Sequence, residues 1–335
     1  MPQPPHQPHP QPRRRQTTAE TEQHGTEQHG TAPRATERPG TEERFVEAAP
    51  GIRLWTEQRG PVDAPPLLLV MGAQATGVGW PEPLVDALAA HHRVIRYDHR
   101  DTGRSTWSFE ERPYRIADLA ADVVAVLDGL GVERAHLVGM SLGGMLVQMA
   151  LADRPERLLS ATLIGTCALS TTPYTRPDGG TVPVAELPGI APEVLELWAR
   201  PVVDQGEEAE IARRITHWRA LAGGQLPFDE GYFDALERRV VAHTGHHHVG
   251  TAHGRADDGG MLRTDALARN AVPVLVVSAP AEPVFPPPHP RHLAQVIGNA
   301  AVVEVPGMGH ALPPQTHRPL TDAIVAHTGA QRGGR

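Results

Sequence analysis

Three side chains far apart in the chain have the types and settings needed to turn an alcohol into a nucleophile. Ser141 sits in Gly139-Met140-Ser141-Leu142-Gly143, after the apolar run Ala135-His136-Leu137-Val138 and before a helical stretch. A tight strand-to-helix turn of this kind holds its serine in a strained backbone geometry. Glycines two residues away on either side keep such a turn free of Cβ clashes. The hydroxyl is a poor nucleophile until a neighbouring base takes its proton. His310 closes Val303-Glu-Val-Pro-Gly-Met-Gly-His310, which reads as a strand, a glycine-bearing turn and an imidazole just beyond it. Of 19 histidines, it alone has that placement. Glu282 is the only carboxylate in Ser278-Ala-Pro-Ala-Glu-Pro283, directly after the apolar run Val272–Val277. It is expected to hold the imidazole in the correct tautomer and to stabilise the imidazolium. Acyl transfer also needs two preorganised backbone N–H groups for the oxyanion. Leu142, next after the serine, and Ala73, in the loop after Leu67–Met71, are the expected donors.

These groups converge only if the elements carrying them are laid side by side. Gly51–Thr56 alternates like an antiparallel strand, and Pro66–Met71 is a continuous apolar run, as in a strand buried on both faces. Glu82–Ala90 reads as a helix and Arg93–Asp98 as a strand. Ile116, Leu119, Ala120, Val123, Leu127 and Leu130 keep helical spacing up to Gly131. A strand ending at Met140, a helix to about Asp153 and the strand Ala161–Gly165 follow. Alternation of this kind predicts an α/β fold with a mostly parallel, doubly wound sheet. Residues 167–268 break the rhythm, with amphipathic stretches near Glu193–Ala199, Glu208–Leu221 and Asp229–His243, and are expected to form a helical cap. The core is thus expected over 45–166 and 269–330. Its last part would hold a helix near His289–Ile297, the strand Ala301–Val305 and a helix across Pro319–His327.

Composition narrows the function classes. The 335 residues are 40% hydrophobic, enough for one large domain, with aromatics at only 4%. All 31 basic residues are arginine, and a net charge of −8 argues against nonspecific nucleic-acid binding. No apolar run approaches the roughly 20 residues that span a bilayer, and the N-terminus lacks a secretory h-region. The single cysteine, Cys167, excludes an intramolecular disulfide and fits a reducing compartment, so a soluble cytoplasmic protein is expected. Residues 1–44 hold eight prolines, no aromatics and a tandem Thr-Glu-Gln-His-Gly repeat, the composition of a disordered tail.

Other polar groups read as structural. Asp98-His-Arg-Asp-Thr-Gly-Arg-Ser105 is expected to be an internally hydrogen-bonded loop. His246, His247, His248 and His253 are expected in a solvated cap loop, since three adjacent histidines cannot all face one ion. Trp80, Met71, Met140 and Cys167 are expected to pack.

With Ser141, Glu282 and His310 placed, the chain resembles the α/β-hydrolase superfamily and, within it, the aclacinomycin methylesterases of anthracycline biosynthesis. The resemblance runs from about Glu43 to Thr328. It is densest in Leu69-Val-Met-Gly72, Val94–Ser105, Leu119-Ala-Ala-Asp122 and Pro306–Pro313, and extends to Trp218-Arg-Ala-Leu and Pro227-Phe-Asp. It implies Ser141 as nucleophile, His310 as base, and Ala73 and Leu142 as oxyanion donors, with no cofactor and no metal. Those relatives carry aspartate at the acid position, where this chain has Glu282-Pro283; segments 170–206 and 246–262 match poorly. The expected activity is hydrolysis of a carboxylic ester, a methyl ester on a bulky apolar small molecule. A cofactor-free haloperoxidase or perhydrolase with the same triad, and a ligand-binding homologue with weak turnover, stand as alternatives.

Overall fold

The computed structural model describes residues 41–201 and 203–330. Two antiparallel strands open it, β1 (Thr41–Ala49) and β2 (Ile52–Arg59). Strands and helices then alternate: β3 (Pro66–Val70), α1 (Glu82–Ala89), β4 (Arg93–Tyr97), α2 (Ile116–Gly129), β5 (Ala135–Met140), α3 (Leu142–Asp153) and β6 (Leu158–Ile164). An insertion follows. It holds a short hairpin, β7 (Tyr174–Thr175) and β8 (Thr181–Val182), then α4 (Pro192–Trp198), α5 (Glu207–Leu221), α6 (Glu230–Thr244), α7 (Ala252–Arg255) and α8 (Thr264–Ala268). The alternation resumes with β9 (Val274–Ser278), α9 (His289–Val296), β10 (Ala300–Glu304) and α10 (Pro314–Ala330).

The main sheet has eight strands in the order β1-β2-β4-β3-β5-β6-β9-β10. From β4 to β10 every pairing is parallel, so the carboxyl ends of β3, β4, β5, β6, β9 and β10 share one rim. Ligands of open α/β sheets bind outside that rim. The continuous apolar runs follow from double-sided burial. Leu67 and Leu69 join one core cluster with Leu84, Leu88, Leu320 and Ile324, while Leu68 and Val70 join the other with Leu119, Val123, Leu146 and Leu293. Successive strand residues thus feed α1 and α10 on one face and α2, α3 and α9 on the other.

A buried ion network locks the antiparallel end to the rest. Arg96 contacts Glu57 at 2.9 Å and Glu82 at 2.8 Å, and Arg59 contacts Glu82 at 2.7 Å. Burial alone would raise the Glu82 carboxyl, but the Arg96 and Arg59 charges outweigh it and hold it down at about 2.

Four expectations need correction. Residues 41–44, placed in the tail, form the start of β1, with Thr41 opposite Arg59 and the Thr56 hydroxyl donating to the Arg44 carbonyl. Their side chains are mostly exposed and charged, as edge strands are, so no apolar alternation marks them. Residues 1–40 of that tail lie outside the described residues. The last helix begins at Pro314, with Pro319 inside it. Pro319 lies on the exposed side with Gln315, whose carbonyl loses only a donor that solvent supplies. The stretch 252–268, expected in the cap, packs instead with the main core, through Ala252 and Leu267. Finally, His253 is 5% exposed rather than solvated.

Candidate active site

The turn from β5 into α3 puts Ser141 at φ 54°, ψ −122°, a conformation a non-glycine residue holds only when its surroundings impose it. The surroundings are backbone. A Cβ on Gly139 would come within 2.4 Å of the Gly143 carbonyl oxygen, and one on Gly143 within 2.1 Å of the Val70 carbonyl oxygen. The Ser141 amide donates to the Ile164 carbonyl at 2.9 Å, fixing the turn against the end of β6. Ser141 itself is partly exposed at the rim.

The loop after β3 packs against this serine. A Cβ on Gly72 would lie 3.2 Å from the Ser141 Cβ and 3.7 Å from its Oγ. Ala73 follows, exposed, in a turn closed by the Ala75 amide on the Gly72 carbonyl at 3.4 Å. Among the described residues, no acceptor engages the Ala73 amide or the Leu142 amide, the latter being one of the orphan donors that start α3. Two unengaged N–H groups beside a serine can accept a developing oxyanion.

Glu282 and His310 meet on the other side. The His310 Nδ1 lies 2.8 Å from Glu282 Oε1 and 2.9 Å from Oε2, with both residues buried. A carboxylate can only accept, so Nδ1 carries the hydrogen and Nε2 is left as the basic nitrogen. Glu282 is itself held by the Val284 amide at 2.8 Å. Its longer side chain is accommodated by a tight Ala279–Glu282 turn that the Met308 carbonyl tethers through the Ala281 amide. Gly165, at φ 52° just past β6, lets the pair come close: a Cβ there would lie 3.0 Å from Glu282 Oε2 and 3.1 Å from His310 Nδ1. β6 lies between them: its Ile164 carbonyl takes the Ser141 amide at the end of β5, and the next residue, Gly165, meets the carboxylate–imidazole pair carried by the loops after β9 and β10.

The insertion also holds this histidine. The His310 amide donates to the Leu221 carbonyl at 2.7 Å, using an orphan acceptor at the end of α5. A Cβ on Gly309 would strike the Ala222 carbonyl at 2.5 Å, and one on Gly223 the Ala281 carbonyl at 1.9 Å. The end of α5 is therefore wedged between the two loops that carry the acid and the imidazole.

Other polar groups have other duties. Asp98 accepts from the Gly77 amide (2.7 Å), the Arg104 amide (2.8 Å) and His243 Nε2 (2.7 Å), so the loop after β4 is the hydrogen-bonded structure its sequence suggests. The tie to His243 of α6 had no signal in sequence. Burial pushes the Cys167 thiol up to about 11, which keeps it protonated. A cavity of about 300 Å³ lies between the β4 loop and residues 249–252, lined by Asp101, Trp107, Phe109 and Gly250; neither Ser141 nor His310 borders it. Among the described residues, the group whose ligand atoms lie close enough to share an ion is Asp204, His247 and His248 on the insertion surface. Asp204, 43 positions before His247, has no local pattern in the sequence that ties it to the histidines.

On one parallel rim lie a buried carboxylate–imidazole pair, a serine at positive φ and two unengaged amides, group types whose chemistry can support nucleophilic acyl transfer. The chain belongs to the alpha/beta hydrolase fold family, whose pattern matches residues 65–314. Within that class it is similar to rhodomycin D methylesterase from Streptomyces sp. (strain C5), 41% identical over 286 residues, with 83% of this chain and 96% of the relative covered. Rhodomycin D methylesterase from Streptomyces peucetius is also 41% identical, over 288 residues and the same shares of each chain. Among solved structures, the esterase RhEst1 from Rhodococcus sp. ECU1013 superposes with a TM-score of 0.63 at 22% identity, covering 85% of this chain and 99% of that one.

Proposed function

We propose that this protein is a serine hydrolase that cleaves a carboxylic methyl ester on a bulky, polyketide-like small molecule, by a mechanism needing no cofactor. Ser141 Oγ attacks the ester carbonyl while His310 Nε2 takes its proton. The Ala73 and Leu142 amides bind the oxyanion, and Glu282 stabilises the imidazolium. Collapse of the tetrahedral adduct expels methanol, which receives the proton from His310. Water, deprotonated by His310, then attacks the acyl-enzyme and releases the acid and the free serine.

The observation that carries this reading is the Glu282–His310 contact, which fixes the imidazole tautomer a base requires, together with a serine held at positive φ on the same rim of the sheet. Similarity over most of the chain to proteins named methylesterases supports the ester class and a small-molecule partner. No described helix is long and apolar enough to cross a membrane. With Cys167 free, we place the protein in the reducing cytoplasm.

The test is labelling with a fluorophosphonate probe, followed by a panel of p-nitrophenyl and methyl esters. Labelling that maps to Ser141, with methanol released from a methyl ester, is the expected result. Peroxide-dependent halogenation without ester turnover would replace the reading with that of a perhydrolase.

A further inference from the structure

The loop that carries Ala73 is held at two points by buried histidines. At its start, His99 Nε2 donates to the Met71 carbonyl at 2.9 Å. At its apex, the Gln74 amide donates to His253 Nδ1 at 2.9 Å, and His253 Nε2 lies 3.0 Å from the Arg100 carbonyl oxygen. Gln74 is at φ 61°, the left-handed region, which a glutamine does not hold unaided. The partners fix the chemistry of the His253 ring. A backbone amide can only donate and a carbonyl can only accept, so Nδ1 must be bare and Nε2 must carry hydrogen. An imidazolium would set an N–H against the Gln74 N–H and open the contact.

Resting on the serine-hydrolase reading above, we propose that His253 is a positioning residue for the oxyanion loop: its neutral ring clamps the Gln74 amide and thereby holds the preceding Ala73 amide toward the reacting carbonyl. The surroundings favour that neutral form. His253 is 5% exposed, and burial lowers its pKa, opposed only in part by the Arg100 carbonyl and the Asp101 charge. The His99 ring sits edge-on at 5.5 Å and the Tyr114 ring at 6.5 Å. Burial holds His99 down at about 3, so it too is neutral. The clamp joins the segment after α6 to the site, which makes the order of residues 249–255 a condition for a formed oxyanion hole.

The experiment compares His253→Asn with His253→Leu, side chains of similar size. Asparagine Oδ1 replaces Nδ1 as the acceptor for the Gln74 amide; leucine offers none. With p-nitrophenyl acetate, His253→Leu is expected to lose roughly 10- to 100-fold in kcat with little change in KM, the size of effect a misplaced oxyanion donor produces. Inhibition by phenylboronic acid, whose tetrahedral adduct uses the same amides, should weaken in parallel. His253→Asn should recover most of the loss. Equal losses in the two variants, or none in His253→Leu, would overturn the clamp. Ester turnover surviving in Ser141→Ala would instead overturn the underlying reading. The clamp would then be judged by amide exchange at Gln74, protected in the wild type and His253→Asn, and fast in His253→Leu. Should His253→Leu not fold, the ¹⁵N resonances of the wild-type ring decide. An Nε2–H tautomer is expected, and an Nδ1–H tautomer refutes the proposal.

Discussion

The rim of the sheet and the α5–α6 pair are built on different principles. At the rim, position is set by backbone against backbone: Gly139 on Gly143, Gly143 on Val70, Gly309 on Ala222. There is no room for a methyl group, and the serine, the acid and the imidazole inherit their places from contacts that cannot slide. The α5–α6 pair has a small apolar centre of Ile211, Ile215, Phe233, Leu236 and Val241, and much of the rest is charge. Arg214 bridges Glu210 and Glu237, the Trp218 indole donates to Glu237, and Arg238 spans Glu208 and Asp234. Long side chains in ion pairs tolerate displacement and substitution far better than interlocked backbone does.

The contrast can be tested at its rigid end first. Ser141→Ala removes only an oxygen and is expected to fold normally while losing about 10⁴–10⁶ in kcat. Gly143→Ala adds a single carbon at the same turn and should lose activity and fold together, read by ester hydrolysis beside thermal melting. If Gly143→Ala melts like the wild type, the interlocked rim is not what fixes the serine. Glu282→Gln keeps the shape of the acid and removes its charge; a drop of roughly 10³–10⁴ in kcat is expected, with the melting temperature little altered.

At the junction, His243→Ala takes away a donor from the fully buried Asp98 and opens space beside Trp55. A loss of about 1–3 kcal/mol in urea unfolding is expected, since Asp98 keeps two backbone donors. Acid should expose the network under β2 and β4. The folded pKa of Glu82, about 2, lies below its ordinary value of 4.5. Its contribution is therefore complete above about pH 4.5 and is lost as pH falls toward 2. A Glu82→Gln variant should be less stable near neutrality and should show a shallower loss across that window. The smallest effect belongs to the charged surface of the α5–α6 pair: Arg238→Ala breaks an exposed ion pair, and its urea unfolding midpoint should stay close to that of the wild type.

Much of this was visible beforehand, for reasons that differ by residue. Ser141 and His310 were legible because each sits in a local string whose apolar run and glycines describe a strand and its turn. Glu282 was legible only as the sole carboxylate in a short loop. Its contact with Nδ1 depends on Gly165, a residue with no signal of its own. His253 was misread because its neighbours are polar and its burial comes from loops distant in sequence. Its partners, Gln74 and Arg100, are more than 150 positions away. The strand at Thr41–Arg44 was hidden by charged side chains, since the hydrogen bonds that define it belong to the backbone.

Local order along the chain was enough to decide which stretches become strands and helices, and which turns could present a nucleophile and its base. Periodicity and the unique stereochemistry of glycine act over a few residues and need no partner. Folding alone decided which histidine would be bare at Nδ1, which carboxylate would lose its water, and which amides would stay unengaged. Those properties belong to a residue's neighbours in space, and only the closing of the sheet and its insertion supplies them.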